Sequence, residues 1–308
     1  MNRIITIAAP THNRSRLLLE TLASIAALEI PGGFTAECLI IDNNSTDDTA
    51  AVADRFAVSA PFPMRRVFEP RQGSSYARNR AVDEARGDVI LFIDDDAVAE
   101  PRWALELLAA MERRRLDAVC GMVIPRWSAS PPPWLGPSLQ IKLAVHNVPE
   151  LLAAPPHQLD SIHNYFSANV GFRRETFARF GRFREELGVV GGNPMSGEDT
   201  ELFERIMRAG GAMGFAPAAR VHHLIPPERM TRAYLRRKSY AFGLGSAIAG
   251  GRTHNHPDKL ARNAIRMAMA LMRGERERAI YHELECANFF GYWRGRLALT
   301  LAARDIRA

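Results

Sequence analysis

Cysteine is scarce in this 308-residue chain, which holds only Cys38, Cys120 and Cys286. Odd in number and far apart, they offer neither a metal spacing nor a disulfide framework, which predicts a reducing compartment. Long apolar runs are missing too: none reaches the eighteen or so residues of a membrane span. The opening Met1-Asn2-Arg3-Ile4-Ile5-Thr6 passes at once into a strand pattern and lacks the apolar core of a signal peptide. These absences together predict a cytoplasmic protein. There is no Gly-x-Gly-x-x-Gly and no Walker sequence, so dinucleotide and P-loop readings lose ground. No nucleic-acid motif or aromatic stacking platform is present, so no nucleic-acid partner is expected.

What is present describes an ordinary globular chain, 47% hydrophobic and 24% charged, long enough for one large domain or a domain with an extension. The net charge of +6 is unevenly spread. From Glu228 onward there are 16 Lys+Arg against 7 Asp+Glu, a net of +9; the preceding 227 residues hold 24 against 27, a net of −3. A basic tail of this kind points to an anionic partner, and a membrane surface suits it better than nucleic acid.

The rest is organised around Val89-Ile90-Leu91-Phe92-Ile93-Asp94-Asp95-Asp96. Five apolar residues suit a strand buried on both faces, which delivers three carboxylates at its carboxyl end. Open α/β sheets place ligands at that edge. Adjacent acids repel one another, so the cluster calls for a cation, and an all-oxygen set suits Mg²⁺ or Mn²⁺. The plain alternative is a solvated acidic turn before a helix. Asp94-x-Asp96 does not fit a haloacid-dehalogenase phosphatase, because Val98 stands where a Thr is needed.

Other strands are predicted at Arg3–Ala9, Cys38–Ile41, Arg65–Phe68, Ala118–Val123 and Asn169–Phe172, alternating with helices. That alternation predicts an α/β fold with a doubly wound, mostly parallel sheet. Ser45 or Thr46 suits an N-cap, and Asp42 suits either a ligand contact or a turn-forming role. Pro125–Pro156 is rich in Pro and Trp and reads as a functional surface loop. In Asn193-Pro194-Met195-Ser196-Gly197-Glu198-Asp199, Ser196 and Asp199 have the spacing of a capping box before an amphipathic helix. Glu198 and Asp199 then either compensate the helix dipole or do chemistry. The tail from Thr231 reads as basic amphipathic helices, the first broken by the glycines at 243, 245, 250 and 251. Such helices pack on the core, pair in a homodimer, or lie on a membrane.

These pieces resemble family 2 glycosyltransferases, the inverting enzymes of the GT-A fold. Pro10-Thr11-His12-Asn13-Arg14 is similar to that family's opening motif, with His12 in place of an aromatic. Asp42-Asn43-Asn44-Ser45-Thr46-Asp47, Gly73-Ser74-Ser75-Tyr76-Ala77-Arg78-Asn79, Asp94-Asp95-Asp96, Phe172-Arg173-Arg174-Glu175 and Gly197-Glu198-Asp199-Thr200-Glu201-Leu202 follow in the family's order. His223 fits its downstream metal histidine better than His222.

The resemblance implies transfer of a sugar from a nucleotide-sugar, a UDP-sugar by family habit, to a hydroxyl of a glycan or lipid-linked acceptor. It implies a divalent metal, Mn²⁺ or Mg²⁺, on Asp94, Asp96 and His223. It implies donor contacts from Pro10, Thr11, Asn13, Arg14, Asp42, Arg78, Asp94 and Asp95, and Asp199 as general base with Glu198 as the alternate. The expected layout is a transferase domain over 1–228, with a donor half to about 125 and an acceptor half from about 126, then a basic helical extension over 229–308. The competing readings are a sugar-phosphate nucleotidyltransferase, for which the loop after the first strand is not Gly-rich, and an inactive glycan- or membrane-binding scaffold. The tail raises the further expectation of the inner face of the cell membrane.

Overall fold

The computed structural model describes residues 3–146, 157–158, 165–190, 196–250 and 257–305. Residues 147–156 and 159–164 of the expected acceptor stretch lie outside these, as do Asn193, Pro194, Met195 and Gly251. The first half runs β1 (Arg3–Thr11), α1 (Ser15–Ala26), β2 (Phe34–Asp42), α2 (Thr49–Val58), β3 (Met64–Phe68), α3 (Ser74–Glu84), β4 (Val89–Ile93), β5 (Ala97–Ala99), α4 (Trp103–Arg114) and β6 (Ala118–Trp127). Then come α5 (Pro137–Gln140), β7 (His157–Gln158), β8 (Asn169–Arg173), α6 (Arg174–Phe180), α7 (Glu198–Arg208) and β9 (Met213–Ile225). Three helices end the chain: α8 (Arg232–Ile248), α9 (Pro257–Met272) and α10 (Arg276–Asp305). The chain forms two compact units, one of residues 1–126, 144–183 and 202–224, the other of 127–143, 184–201 and 225–308.

The first unit is built on a mixed sheet of order β3-β2-β1-β4-β8-β6-β9-β5, with β7 on β9. The β3-β2-β1-β4 part is parallel. From β4 to β8 and from β8 to β6 the pairing is antiparallel. All five residues of β4 are buried, as a strand covered on both faces requires. Phe92 meets Phe172 and Phe183 edge-on, at ring separations of 6.0 and 5.8 Å. Each such pair adds about 0.5–1.5 kcal/mol beyond its buried area. β1 extends two residues beyond its expected end, through Pro10. The ladder to β4 stops at Ala8, so the missing N–H of Pro10 removes no bond from it. The chain leaves β1 toward β2 on one side and returns with β4 on the other, which opens a crevice at the carboxyl ends of β1 and β4.

In the second unit α8 begins at Thr231, whose Oγ1 accepts from the Tyr234 N–H at 3.2 Å. The expected break at Gly243 and Gly245 does not occur, and the helix runs through both. These glycines serve packing. A Cβ on Gly243 would lie 2.0 Å from the Asn288 carbonyl oxygen, and one on Gly291 would lie 1.9 Å from that of Tyr240. The α8 and α10 backbones therefore touch where no side chain fits. The Glu285 carboxylate on α10 joins Lys142 at 2.9 Å and Lys259 at 3.0 Å. The stretch after residue 125 is only partly the expected surface loop: β6 continues to Trp127, and Leu135, Leu139 and Leu143 are buried.

Candidate active site

The three aspartates follow β4 directly. The Asp94 carbonyl accepts from the Ala97 N–H at 3.1 Å, so Asp95 and Asp96 occupy the centre of a tight turn into β5. β5 pairs antiparallel with β9, with Ala97 opposite His223, and the Leu224 N–H donates to the Asp96 carbonyl at 2.9 Å. This register brings the His223 Nε2 within 3.2 Å of Asp96 Oδ1, both side chains about 5% exposed. Side chains alternate along a strand. His222 therefore points the other way and meets Glu100 at 3.0 Å.

The second oxygen of Asp96 accepts from the Arg14 guanidinium at 2.7 Å, and the same nitrogen donates to Asp95 at 2.8 Å. Burial pushes the Asp95 carboxyl up to about 6; Arg14 opposes this, while Asp96 and Asp94 add to it. Burial also disfavours the Arg14 charge, but Asp95 and Asp96 outweigh it and raise its pKa. Asp94 is more exposed, at 33%, and faces the buried Arg78 of α3 at 3.3 Å. Arg14 thus binds residues more than eighty positions away in sequence.

The loops after β1 and β2 hold Arg14 there. Asn13 and Asn44 take left-handed backbone angles, φ +52° and +61°, which Asn tolerates better than most residues. Asn13 Oδ1 accepts from the Thr46 N–H at 2.7 Å, and Ser45 Oγ accepts from the Asn13 N–H at 3.1 Å. Asp42 is buried, accepts from the Ser45 N–H at 3.0 Å and faces Arg66 at 3.4 Å. Ser45 and Thr46 do not cap a helix; α2 starts at Thr49 after Asp48. Thr11 is buried at the end of β1, beside Asp42 in the ladder.

Two residues outside the expected set organise these loops. Asn43 donates to the Arg71 carbonyl at 2.7 Å and accepts from the Gly73 N–H at 2.7 Å. Gly73 has φ +149°, an angle that favours glycine, and it starts the helix that carries Arg78. His12 Nδ1 donates to the Asn43 carbonyl at 2.9 Å, which leaves Nε2 to accept from Gln72 at 2.7 Å. The sequence signal for Asn43 is its place between Asp42 and a second asparagine.

Glu198 and Asp199 belong to the second unit, in the first turn of α7. The expected capping box is not formed: Ser196 Oγ is buried without a hydrogen-bond partner. Glu198 is buried and accepts from the Gly197 N–H at 3.1 Å; Asp199 accepts from the Thr200 N–H at 2.7 Å. Both anions sit at the positive end of a helix.

Among the described residues, no three of His, Cys, Asp and Glu come together as a closed metal cage. The pair Asp96–His223 nevertheless offers one oxygen and one nitrogen in a buried place, with Asp94 at the rim. That donor set fits a divalent cation that keeps waters and substrate phosphate oxygens among its ligands.

Known proteins share the sequence pattern and the fold of this chain. The model of glycosyl transferase family 2 matches residues 6–181. The succinoglycan biosynthesis protein ExoM of Rhizobium meliloti is 29% identical over 240 residues, 78% of this chain and 72% of that protein. The glucosyl-dolichyl phosphate glucuronosyltransferase of Haloferax volcanii is 26% identical over 190 residues, 61% of this chain and 58% of that one. In structure, the mannosyltransferase PcManGT of Pyrobaculum calidifontis, solved with GDP-Man and Mn²⁺, superposes with a TM-score of 0.66 at 19% identity, over 95% of this chain and 88% of that one. The fold is the GT-A fold of such transferases.

Proposed function

The chain belongs to glycosyl transferase family 2, and from that premise we propose that it transfers a sugar from a UDP-sugar to a hydroxyl of a glycan or lipid-linked acceptor, with inversion. The observation that carries the reading is the Asp94–Asp96 turn at the switch point, with Arg14 and Arg78 on its carboxylates and His223 beside Asp96. Asp94, Asp96 and His223 would hold Mn²⁺ or Mg²⁺, which serves as a Lewis acid for the departing diphosphate. The imidazole favours Mn²⁺. Arg78 brings positive charge to the diphosphate, and Pro10, Thr11, Asn13, Arg14, Asp42 and Asp95 line the nucleoside end. Asp199 takes the acceptor proton as the acceptor oxygen bonds to the anomeric carbon. The bond from that carbon to the diphosphate oxygen breaks, and the nucleoside diphosphate leaves with the electron pair. Glu198 is the alternate base.

The donor half covers residues up to about 125, the acceptor half about 126–228, and the basic extension 229–308. The name of the Rhizobium relative supports a polysaccharide of the cell envelope or exterior as the acceptor class. Incubation with a panel of nucleotide-sugars and Mn²⁺ tests the proposal. Slow release of UDP from one donor is expected. Pyrophosphate production, or donor binding with no turnover on any acceptor, would overturn it.

A further inference from the structure

The C-terminal helices carry a surface that the chemistry above does not use. On α9, Ile265, Met269 and Met272 are 60%, 39% and 80% exposed. At about 100° per residue they share roughly a 60° arc of the helix. The opposite side holds the buried Asn263 and Ala270, so the outward stripe is not the packing face. On α10, Phe290, Trp293 and Leu297 form a second such stripe, 55%, 44% and 61% exposed.

Charge accompanies both stripes. Arg262, Arg266 and Arg273 lie along the edge of the first, and Arg294 along the edge of the second. The nearby acids are already engaged: Glu283 with Arg232 and Arg236, Glu285 with Lys142 and Lys259, and Glu275 with Arg278. By contrast, Arg262, Arg266, Arg273 and Arg294 are exposed and form no ion pair among the described residues. Four of the 16 basic residues of the tail thus stand outward beside apolar side chains.

We propose that the α9 stripe docks on an anionic lipid bilayer, with Ile265, Met269 and Met272 in the acyl boundary and Arg262, Arg266 and Arg273 on lipid phosphates. A second copy is a poor occupant, because an isologous dimer would set these unpaired arginines against their own kind. Nucleic acid would use the charge but not the aliphatic stripe. No helix among the described residues is long and apolar enough to cross a membrane, so the helices lie on the surface. The proposal rests on no catalytic assignment.

Cosedimentation of the full chain with phosphatidylglycerol–phosphatidylcholine vesicles and with phosphatidylcholine vesicles tests it. Binding to the anionic vesicles alone, weakening as salt rises, is expected. Each arginine near such a surface contributes about fivefold, so Arg262→Gln, Arg266→Gln and Arg273→Gln together lower partitioning on the order of 100-fold. Ile265→Ser with Met272→Ser weakens it as well, and both variants keep the wild-type circular dichroism because the positions are exposed. Equal binding to neutral vesicles, binding to neither, or a solution dimer that the serine variant dissociates would overturn the proposal.

Discussion

Two acidic clusters carry the proposed chemistry, and they stand in different settings. Asp95 and Asp96 face the side chain of Arg14, and Asp94 that of Arg78. Glu198 and Asp199 stand in the first turn of α7, where each accepts from a neighbouring backbone N–H. A guanidinium on a flexible stem can move aside for an incoming cation, whereas a helix terminus stays fixed. The first arrangement suits a site that exchanges counter-ions with its substrate. The second suits a carboxylate held in one place to receive a proton from the acceptor.

The largest expected effect breaks the second cluster alone. Asp199→Asn keeps shape and hydrogen-bond acceptance, so turnover falls by roughly 10²–10⁴-fold while UDP affinity holds, as steady-state rates and calorimetry would show. A greater loss in Glu198→Gln reverses the two roles. The next change lies outside both clusters and should leave their chemistry intact. Gly243→Ala forces a Cβ to within 2.0 Å of the Asn288 carbonyl. It costs about 1–3 kcal/mol of stability in chemical denaturation, and folded protein retains its donor affinity.

Arg14→Gln sharpens the idea of an exchangeable counter-ion. It leaves Asp95 and Asp96 less compensated and lowers stability by about 1–2 kcal/mol, less than a fully buried pair would lose because Arg14 is about one-third exposed. Added Mn²⁺ should then raise the melting temperature more in the variant than in the wild type. Equal shifts would mean that Arg14 and the cation do not share Asp96.

The smallest effect concerns Glu285, a carboxylate with a purely structural role. Burial pushes its pKa up, but Lys142 and Lys259 overcome this and hold it below the ordinary range. A depressed carboxylate stabilises the fold above its unfolded pKa, about 4.3, and that contribution disappears as pH falls through the lowered value. Thermal melts should show this acid-side loss in the wild type and a flatter profile in Glu285→Gln.

The sequence made the first cluster legible because a buried strand ending in acids is a local pattern, as Val89–Asp96 shows. His223 was legible only through its surroundings, and its place beside Asp96 depends on a three-residue strand, β5, too short to carry a period. Arg14 could be read as part of a motif, but not as the partner of Asp96, because that contact is set by sheet order. The antiparallel half of the sheet is likewise a matter of long-range pairing. Gly243 misled the local reading: glycine weakens an isolated helix by about 1 kcal/mol relative to Ala, yet here it admits a second backbone. Asn43 gave only a weak signal, since its bonds reach loops nearly thirty residues away.

The central claim is that Asp96 holds the donor's cation while Asp199 does not. Calorimetric titration of UDP with Mn²⁺ into the wild type, Asp96→Asn and Asp199→Asn tests it most directly. The account predicts that Mn²⁺-dependent UDP binding is lost in Asp96→Asn and kept in Asp199→Asn, with both proteins folded. Unchanged binding in Asp96→Asn would contradict it.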